Sequence, residues 1–342
     1  MGERTPLTPA AGPSGWHVWG HERAVADLQR AVAHGPRHAY ILTGPERIGK
    51  RALAIEFARA LICERPPSAG IPCGSCSRCR RVSRGVHPDV TIADLLTQAA
   101  AEKASTTSRN TSLNIATVRD VSANVALRPV EADWRVAIVD DVETMQETAQ
   151  EAFLKTLEEP PSYTVIILLT SDVELLLPTI LSRCVTIPLQ AVPEGTIRDA
   201  LVAGGIDIER AAHIAQLSDG RMGWALDAAA DPALIQQREA LHMAARQWAG
   251  GSDYDRLVRA TSLADRFTKD REAVFSELLA VQMEWRRTLL ATVQSAHDAG
   301  TPDPHGLVTA VRSVERCILD LEANVRPRLA MQSMVLQWPA LP

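Results

Sequence analysis

The sequence predicts an α/β domain built on a parallel β-sheet, followed by material that is entirely helical. In the first half of the chain, short apolar runs alternate with segments of helical periodicity, and the runs show little alternation of apolar and polar residues. Strands of this kind are typical of a parallel sheet covered by helices on both faces. After about residue 188 only helical periodicity remains, with breaks at Gly204-Gly205, Gly220, Gly250-Gly251 and Pro302.

The elements of the first half can be assigned in chain order. Apolar runs predict buried strands over 38–43, 90–93, 135–139 and 163–170. Helical periodicity predicts helices over 22–33, 50–62, 115–127 and 144–157. The small, polar residues 97–112 are interpreted as a flexible loop, and the Pro- and Gly-rich residues 1–15 as a disordered lead-in, not a signal peptide.

Composition limits the class of protein. The chain has 342 residues, of which 46% are hydrophobic, enough for two or three domains with sizeable cores. A net charge of −5 argues against a protein that coats nucleic acid. No apolar stretch is long enough to cross a membrane, so we expect a cytoplasmic protein. In that reducing compartment, closely spaced cysteines indicate a metal site or catalysis before disulfides.

A glycine-rich loop lies between the first predicted strand and the helix that follows. Residues 44–51, G-P-E-R-I-G-K-R, fit the phosphate-loop pattern, with Gly44, Gly49 and Lys50 at its fixed positions. Backbone amides of such a loop cradle phosphates, and Lys50 can reach the β- and γ-phosphates. The usual last residue carries a hydroxyl that binds Mg²⁺, whereas Arg51 cannot bind a cation. The alternative is a turn that only caps the helix.

Two acids follow the third predicted strand. Asp140 and Asp141 come directly after the apolar run 135–139. An acid at the carboxyl end of a strand beside a phosphate loop is placed to hold a Mg²⁺-bound water. Active ATPases of this class usually have Glu as the second acid, and Asp141 is one methylene shorter. The alternative is a pair of surface acids that cap the next helix.

Four cysteines predict a metal site. Cys63, Cys73, Cys76 and Cys79 have the spacing C-x₉-C-x₂-C-x₂-C, with which four thiolates can close a tetrahedral Zn²⁺ site. An iron–sulfur cluster is a minor alternative, and four thiols without metal are another.

Together these motifs resemble the delta-prime family of subunits of the bacterial DNA polymerase III clamp loader, which are AAA+ proteins. The specific pieces are L-K-T-L-E-E-P-P at 154–161 and S-R-C at 182–184, supported by the cysteine module. The resemblance covers roughly residues 16–230 and weakens toward the C-terminus.

The resemblance implies the domain organisation and the partners. It implies an AAA+ domain at 16–188 with a zinc module at 63–79, a helical lid at 189–235 and a helical collar at 236–342. The partners would be gamma/tau and delta subunits in a hetero-pentamer, with the sliding clamp and primer–template DNA reached through the complex. Arg183 of S-R-C would act in trans as an arginine finger, and Thr170 falls at the sensor-1 position.

Three positions depart from an active ATPase of this family: Arg51, Asp141 and Gly223, the last at the position of the sensor-2 arginine. We therefore expect a component of the polymerase complex with no polymerase site and little intrinsic ATPase activity. ATP binding remains open, since binding needs less than hydrolysis. The alternative function is a gamma/tau-type motor ATPase, which would carry Gly-Lys-Thr and Asp-Glu at these motifs. A DNA helicase or remodeller would not explain the 154–161 and 182–184 runs.

Overall fold

The computed structural model describes residues 11–65, 70–101, 112–294 and 303–340. The chain divides into two compact units, Met1–Pro232 and Ala233–Pro342. No helix in the described ranges is long and apolar enough to cross a membrane.

The first unit contains a five-stranded parallel sheet in the order β2-β3-β4-β1-β5. Its strands are β1 Ala39–Thr43, β2 Val90–Ala93, β3 Arg135–Val139, β4 Thr164–Thr170 and β5 Val185–Pro188. Helix α1 Glu22–His34 precedes β1, and the helices between the strands are α2 Lys50–Ile62, α3 Ser77–Ser83, α4 Leu95–Ala101, α5 Ile115–Ala126, α6 Glu147–Glu158 and α7 Pro178–Leu181. The predicted α/β class and parallel sheet are confirmed.

The central strand β4 shows why this sequence forms a sheet buried on both faces. All of its residues are buried, and successive side chains enter opposite cores. Ile167 and Leu169 join the core beside α2, whereas Ile166 and Leu168 join the core beside α5 and α6. Full burial of each such side chain stabilises the fold by roughly 1.5–3 kcal/mol. The absence of apolar–polar alternation in this run therefore follows from its two covered faces.

The remaining elements are all helical, as predicted. Helices α8 Glu194–Ala203, α9 Ile208–Leu217 and α10 Met222–Ala230 complete the first unit. Helix α11 Pro232–Gly250 begins at the last residue of the first unit, and the second unit continues with α12 Asp253–Arg266, α13 Arg271–Gln294, α14 Pro304–Glu322 and α15 Pro327–Val335. Its core includes the indoles of Trp248, Trp285 and Trp338. A separate lid at 189–235 and collar at 236–342 remain predictions.

Two helices begin at other residues than the local sequence predicts. The prediction of a loop over 97–112 is wrong for its first residues, which belong to α4. Asp94 begins this helix: its Oδ1 accepts the Thr97 amide at 2.7 Å, and its own amide donates to Thr97 Oγ1 at 2.8 Å. Residues 102–111 lie outside the described ranges. The helix predicted from residue 144 begins at Glu147, because Val142–Thr144 forms a 3-10 turn.

The first described residues fold against α1. The Gly12 amide donates to the Trp16 carbonyl at 2.7 Å, and Gln29 of α1 donates from Nε2 to the Ser14 carbonyl at 3.0 Å. Residues 1–10 of the predicted lead-in lie outside the described ranges. Strand β5 was not predicted. It has only four residues and only Ile187 is buried, so its sequence contains no apolar run like those of the other strands.

Candidate nucleotide site and cysteine centre

The glycine-rich loop joins β1 to α2, as the motif predicts. Gly44 and Gly49 have φ angles of 152° and 120°, which favour glycine. A Cβ atom at Gly44 would lie 2.5 Å from the Leu189 carbonyl oxygen, so no other residue fits there. The Gly44 amide donates to the carbonyl of Thr170, at the end of β4, over 3.2 Å. The loop is therefore anchored between neighbouring strands.

Lys50 turns back over this loop. Its Nζ donates to the Gly44 carbonyl at 2.6 Å and to the Pro45 carbonyl at 3.1 Å. Burial lowers the pKa of Lys50, and the carboxylates of Glu143 and Asp140 act against this shift. The ammonium group thus sits where the loop and the acids after β3 meet.

Arg51 lies between two carboxylates. Its Nη1 is 2.6 Å from Asp94 Oδ2 and 3.5 Å from Asp140 Oδ2. Asp94 follows β2 and Asp140 follows β3, and the two strands are adjacent, so both acids come to the same edge of the sheet. Burial acts to raise the pKa of Asp94, but the Thr97 amide and the Arg51 guanidinium hold it below its usual value.

The two acids after β3 have different surroundings. Burial raises the pKa of Asp140, although the Asp141 amide and the cations of Arg51 and Lys50 oppose the shift. Burial, together with the nearby carboxylates of Asp140 and Glu143, raises the pKa of Asp141 to about 6. Asp141 has a left-handed backbone, with φ 54°, and its side chain does not cap the turn that follows. These acids therefore do not form a simple helix cap.

The residues at this edge do not fit Mg²⁺. That ion takes oxygen ligands in a near-octahedral arrangement, and the phosphate loop normally supplies one hydroxyl. Here Arg51 replaces the hydroxyl, and its guanidinium contacts the carboxylates of Asp94 and Asp140 that would face the ion. Asp94 and Asp140 are instead paired with a cation of the chain itself, the guanidinium of Arg51.

Helix α10 closes over the same loop. The Gly223 amide donates to the Arg47 carbonyl at 2.8 Å, and the Arg47 guanidinium forms an ion pair with Asp227. A Cβ atom at Gly223 would lie 2.8 Å from the Arg47 carbonyl oxygen. The position predicted to lack the sensor-2 arginine is thus a tight backbone contact in which a side chain would clash.

Thr170 is fully buried at the end of β4. Its Oγ1 donates to the Asp172 carbonyl at 2.8 Å and accepts the Asp172 amide at 3.1 Å. Next to it, Glu143 Oε1 accepts the Ser171 amide at 2.9 Å and also the Ser171 hydroxyl. The hydroxyl of Thr170 is therefore used by its own turn.

The structure brings the four cysteines of the predicted metal site together. The Sγ atoms of Cys63, Cys73, Cys76 and Cys79 all lie within 4.8 Å of one another. Thiolates about 2.3 Å from a tetrahedral zinc ion are separated by about 3.8 Å, so the group has the size for such an ion. Residues 66–69, between the first two cysteines, lie outside the described ranges.

Backbone amides favour thiolates in this cluster. The amides of Cys73, Cys76 and Cys79 donate to the Sγ atoms of Cys63, Cys73 and Cys76 over 3.4, 3.4 and 3.3 Å. Burial acts to raise the pKa of Cys73, but the amides of Cys76 and Ser75 outweigh it and lower the value to about 6. Burial raises the pKa of Cys79. The donor set and its hydrogen bonds fit zinc.

Arg183 lies after α7, with a third of its side chain exposed. Its Nη2 donates to Glu158 Oε1 at 2.7 Å, and its Nη1 donates to the Thr179 carbonyl at 2.9 Å. Glu158 is the last residue of α6. The 154–161 and 182–184 runs, which are far apart in sequence, therefore meet in one ion pair.

A comparison with protein families identifies the chain. The family model described as "DNA polymerase III, delta subunit" matches residues 20–193, just over half of the chain. This chain belongs to the DNA polymerase III delta-subunit family. The resemblance to DNA polymerase III clamp-loader subunits predicted from the motifs is thereby confirmed.

Relatives of this member of the delta-subunit family include delta' and tau subunits of DNA polymerase III. DNA polymerase III subunit delta' of Pseudomonas aeruginosa is 40% identical over 148 residues, which cover 43% of this chain and 42% of that protein. DNA polymerase III subunit tau of Salmonella typhimurium is 26% identical over 339 residues, which cover 95% of this chain and 50% of that protein. The chain thus spans half or less of the length of these relatives.

Solved structures similar to this chain are more distant in sequence. A DNA polymerase III gamma subunit-related protein of Thermotoga maritima is 19% identical with a TM-score of 0.40, and the match covers 91% of this chain and 96% of that one. The RuvB branch migration motor of the same organism is 12% identical with a TM-score of 0.42, covering 94% and 90%. At such scores the likeness adds nothing to the assignment to the delta-subunit family.

The sequence did not indicate three acids that pair with arginines of the phosphate loop or of the S-R-C run. Asp94 directly follows a predicted strand, as Asp140 does, so the same signal could have found it. Glu158 lies inside the 154–161 run that carried the resemblance, but nothing in its spacing indicates a contact with Arg183. Asp227 is 180 residues from Arg47, and no local pattern joins them.

Proposed function

We propose that this chain is a delta-prime-type subunit of the bacterial DNA polymerase III clamp loader. In this role it supports ATP-driven loading of the sliding clamp onto primed DNA in the cytoplasm, with little ATP hydrolysis of its own. The observation that carries the proposal is the contact of Arg51 with Asp94 and Asp140, which puts a guanidinium where an ATPase holds its metal. Membership of the delta-subunit family supports the same role.

Three features weaken catalysis at the chain's own site. Arg51 supplies no metal ligand, Asp141 is shorter than the glutamate that orients water, and Gly223 supplies no cation to the γ-phosphate. Catalysis of phosphoryl transfer is almost entirely positioning and electrostatic stabilisation. The three changes therefore all reduce stabilisation of the same transition state. The loop keeps its glycines and Lys50, so the chain can still bind nucleotide although it hydrolyses little.

Arg183 gives the chain a role at a neighbour's site. We assign it as an arginine finger that acts in trans on ATP bound by a gamma/tau subunit. Its planar guanidinium suits charge that develops on a γ-phosphate, and such fingers raise rates by about 10³–10⁵ in GTPases. In the isolated chain it is held by the exposed carboxylate of Glu158, and exposed ion pairs contribute only about 0–1 kcal/mol. That partner can be exchanged for phosphate at little cost.

The four-cysteine cluster is assigned to one structural zinc ion. Four thiolates leave no open coordination position for water or substrate, so a catalytic role is disfavoured. When bound, zinc would tie the start of α3 to the end of α2, because Cys63 follows α2 and Cys76 and Cys79 lie at the start of α3.

A gamma/tau-type ATPase is the second candidate. The match to subunit tau over 95% of this chain and the intact Gly49-Lys50 pair favour it. The two candidates differ in hydrolysis: the isolated chain should show ATPase activity near background as a delta-prime-type subunit. A turnover typical of motor subunits that is abolished by Lys50→Ala would establish the second candidate instead.

Reconstitution tests the proposed function directly. Gamma/tau and delta subunits are combined with and without this chain, and ATPase and clamp loading are measured with clamp and primed DNA. We expect a hetero-pentamer and full activity only when the chain is present. Equal loading without the chain would contradict the proposal.

A further inference from the structure

We infer that Arg51 is a resident cation that takes the place of a divalent metal in this site and keeps such metals out. The inference rests on the proposed function only in treating this edge of the sheet as a former metal site. It goes further by assigning the chain a fixed internal charge where ATPases use an exchangeable ion. The site then carries the same cation whether nucleotide and metal are present or absent.

The position of Arg51 follows from the fold. It is the second residue of α2 and directly follows Lys50, so the phosphate loop fixes its Cα atom beside the sheet edge. Its Nη1 is 2.6 Å from Asp94 Oδ2, a short charge-assisted hydrogen bond, and 3.5 Å from Asp140 Oδ2. One nitrogen thus faces both carboxylates, as a bound ion would.

The carboxylates are held in place to receive it. The Asp94 side chain is only 5% exposed, and its other oxygen accepts the Thr97 amide at 2.7 Å. The Asp140 amide donates to the Ala93 carbonyl at 2.9 Å, which joins the ends of β2 and β3 next to the two acids. Because backbone hydrogen bonds hold Asp94 and Asp140 in position, the two carboxylates do not need a metal to bring them together.

Charge and geometry explain why the guanidinium excludes a metal. A guanidinium remains protonated at any physiological pH and is weakly hydrated, so it suits partly buried ion pairs. A divalent ion would have to displace Nη1 from Asp94 and would then face a positive charge a few ångströms away. Like charges only a few ångströms apart repel, so the guanidinium opposes entry of a divalent ion.

Binding of Mn²⁺ to the isolated, zinc-loaded chain tests the inference. Mn²⁺ prefers the same oxygen ligands as Mg²⁺, and its free concentration can be followed by electron paramagnetic resonance. We expect no Mn²⁺ bound at this edge in the wild-type chain. Arg51→Thr, which restores a hydroxyl and removes the cation, should raise Mn²⁺ affinity at least about tenfold. Adding Asp140→Asn to Arg51→Thr should abolish the gain.

Two control variants distinguish the effect of the Arg51 charge on Mn²⁺ binding from a general disturbance of the phosphate loop. Arg51→Lys keeps a positive charge and should still exclude Mn²⁺. Arg47→Thr removes another arginine of the same loop without touching Asp94 or Asp140, and it should not create a site. Zinc content and thermal unfolding confirm that each variant is folded.

Two results would overturn the inference. One is a wild-type chain that binds Mn²⁺ in a manner lost with Asp140→Asn, a result that needs no Arg51 variant. The other is a folded Arg51→Thr chain with no gain in affinity. Either outcome leaves assembly of the clamp loader and the role of Arg183 untouched, so it is distinguishable from failure of the proposed function.

Discussion

The amide of Gly223 donates a 2.8 Å hydrogen bond to the carbonyl of Arg47, and this contact joins helix α10 to the phosphate loop. The resemblance to clamp-loader subunits implies that active gamma/tau-type ATPases have an arginine at this position. Here a Cβ atom would already come within 2.8 Å of the carbonyl oxygen. The absence of a side chain at Gly223 therefore permits this close backbone approach, which the Arg47–Asp227 ion pair reinforces.

Gly223→Ala should destabilise the first unit. The added methyl group must push the Arg47 carbonyl away, and overpacking of this kind costs about 1–3 kcal/mol. Chemical denaturation of the zinc-loaded chain measures the change. Gly195→Ala is a matched control in α8, where the nearest atom to the new Cβ is an Arg198 side-chain nitrogen at 3.9 Å. That control should be neutral or slightly stabilising, because alanine favours helix more than glycine; equal effects of the two substitutions would refute the contact.

Removing two thiolates should release the metal. Elemental analysis of the wild-type chain, purified without chelator, should find close to one zinc per chain. Replacing Cys76 and Cys79 together with serine should reduce this to background, because a structural zinc site needs four ligands. Cys184→Ser is the control, since Cys184 lies after α7 outside the cluster. Zinc retained by the double variant, or iron in place of zinc, would contradict the assignment.

Asp141 should make stability depend on pH in a defined window. Its pKa is raised from 3.8 to about 6 in the folded chain, so the folded state binds the proton more tightly than the unfolded state. The contribution to stability is complete below pH 3.8 and is lost as pH rises through about 6. Asp141→Asn removes this loss and tolerates the left-handed backbone. The variant should therefore gain stability relative to wild type between pH 5 and pH 7.5 in denaturation experiments. A difference that stays constant across that range would show that Asp141 does not titrate there.

The sequence predicted the parts of this molecule that local patterns determine. The phosphate loop, β3 and the cysteine cluster each lie within a short segment whose residue types and spacing indicate one geometry. The start of α4 was missed because small polar residues after Asp94 resemble a loop, whereas the reciprocal Asp94–Thr97 hydrogen bonds begin a helix.

Long-range pairings were beyond sequence reasoning. Arg51 at the end of the loop motif indicated a missing metal ligand. It did not indicate that its guanidinium would pair with Asp94, which follows a different strand, β2. Gly223 indicated a missing cation, but not that its lack of a side chain permits contact with Arg47. Such pairings depend on how the strands and helices are brought together in three dimensions, which one sequence does not contain.

The central claim, that Arg183 acts on a neighbour's ATP, is tested most directly by Arg183→Ala in the reconstituted clamp loader. Arg198→Ala is the matched control, because Arg198 is also partly exposed and pairs with a carboxylate, that of Asp199, at 2.8 Å. We predict that both variants assemble with normal zinc content. Arg183→Ala alone should lower ATPase and clamp loading, and the loss should be partial because other subunit interfaces keep their own arginines. An Arg183→Ala complex that assembles and loads clamps at the wild-type rate would contradict the account.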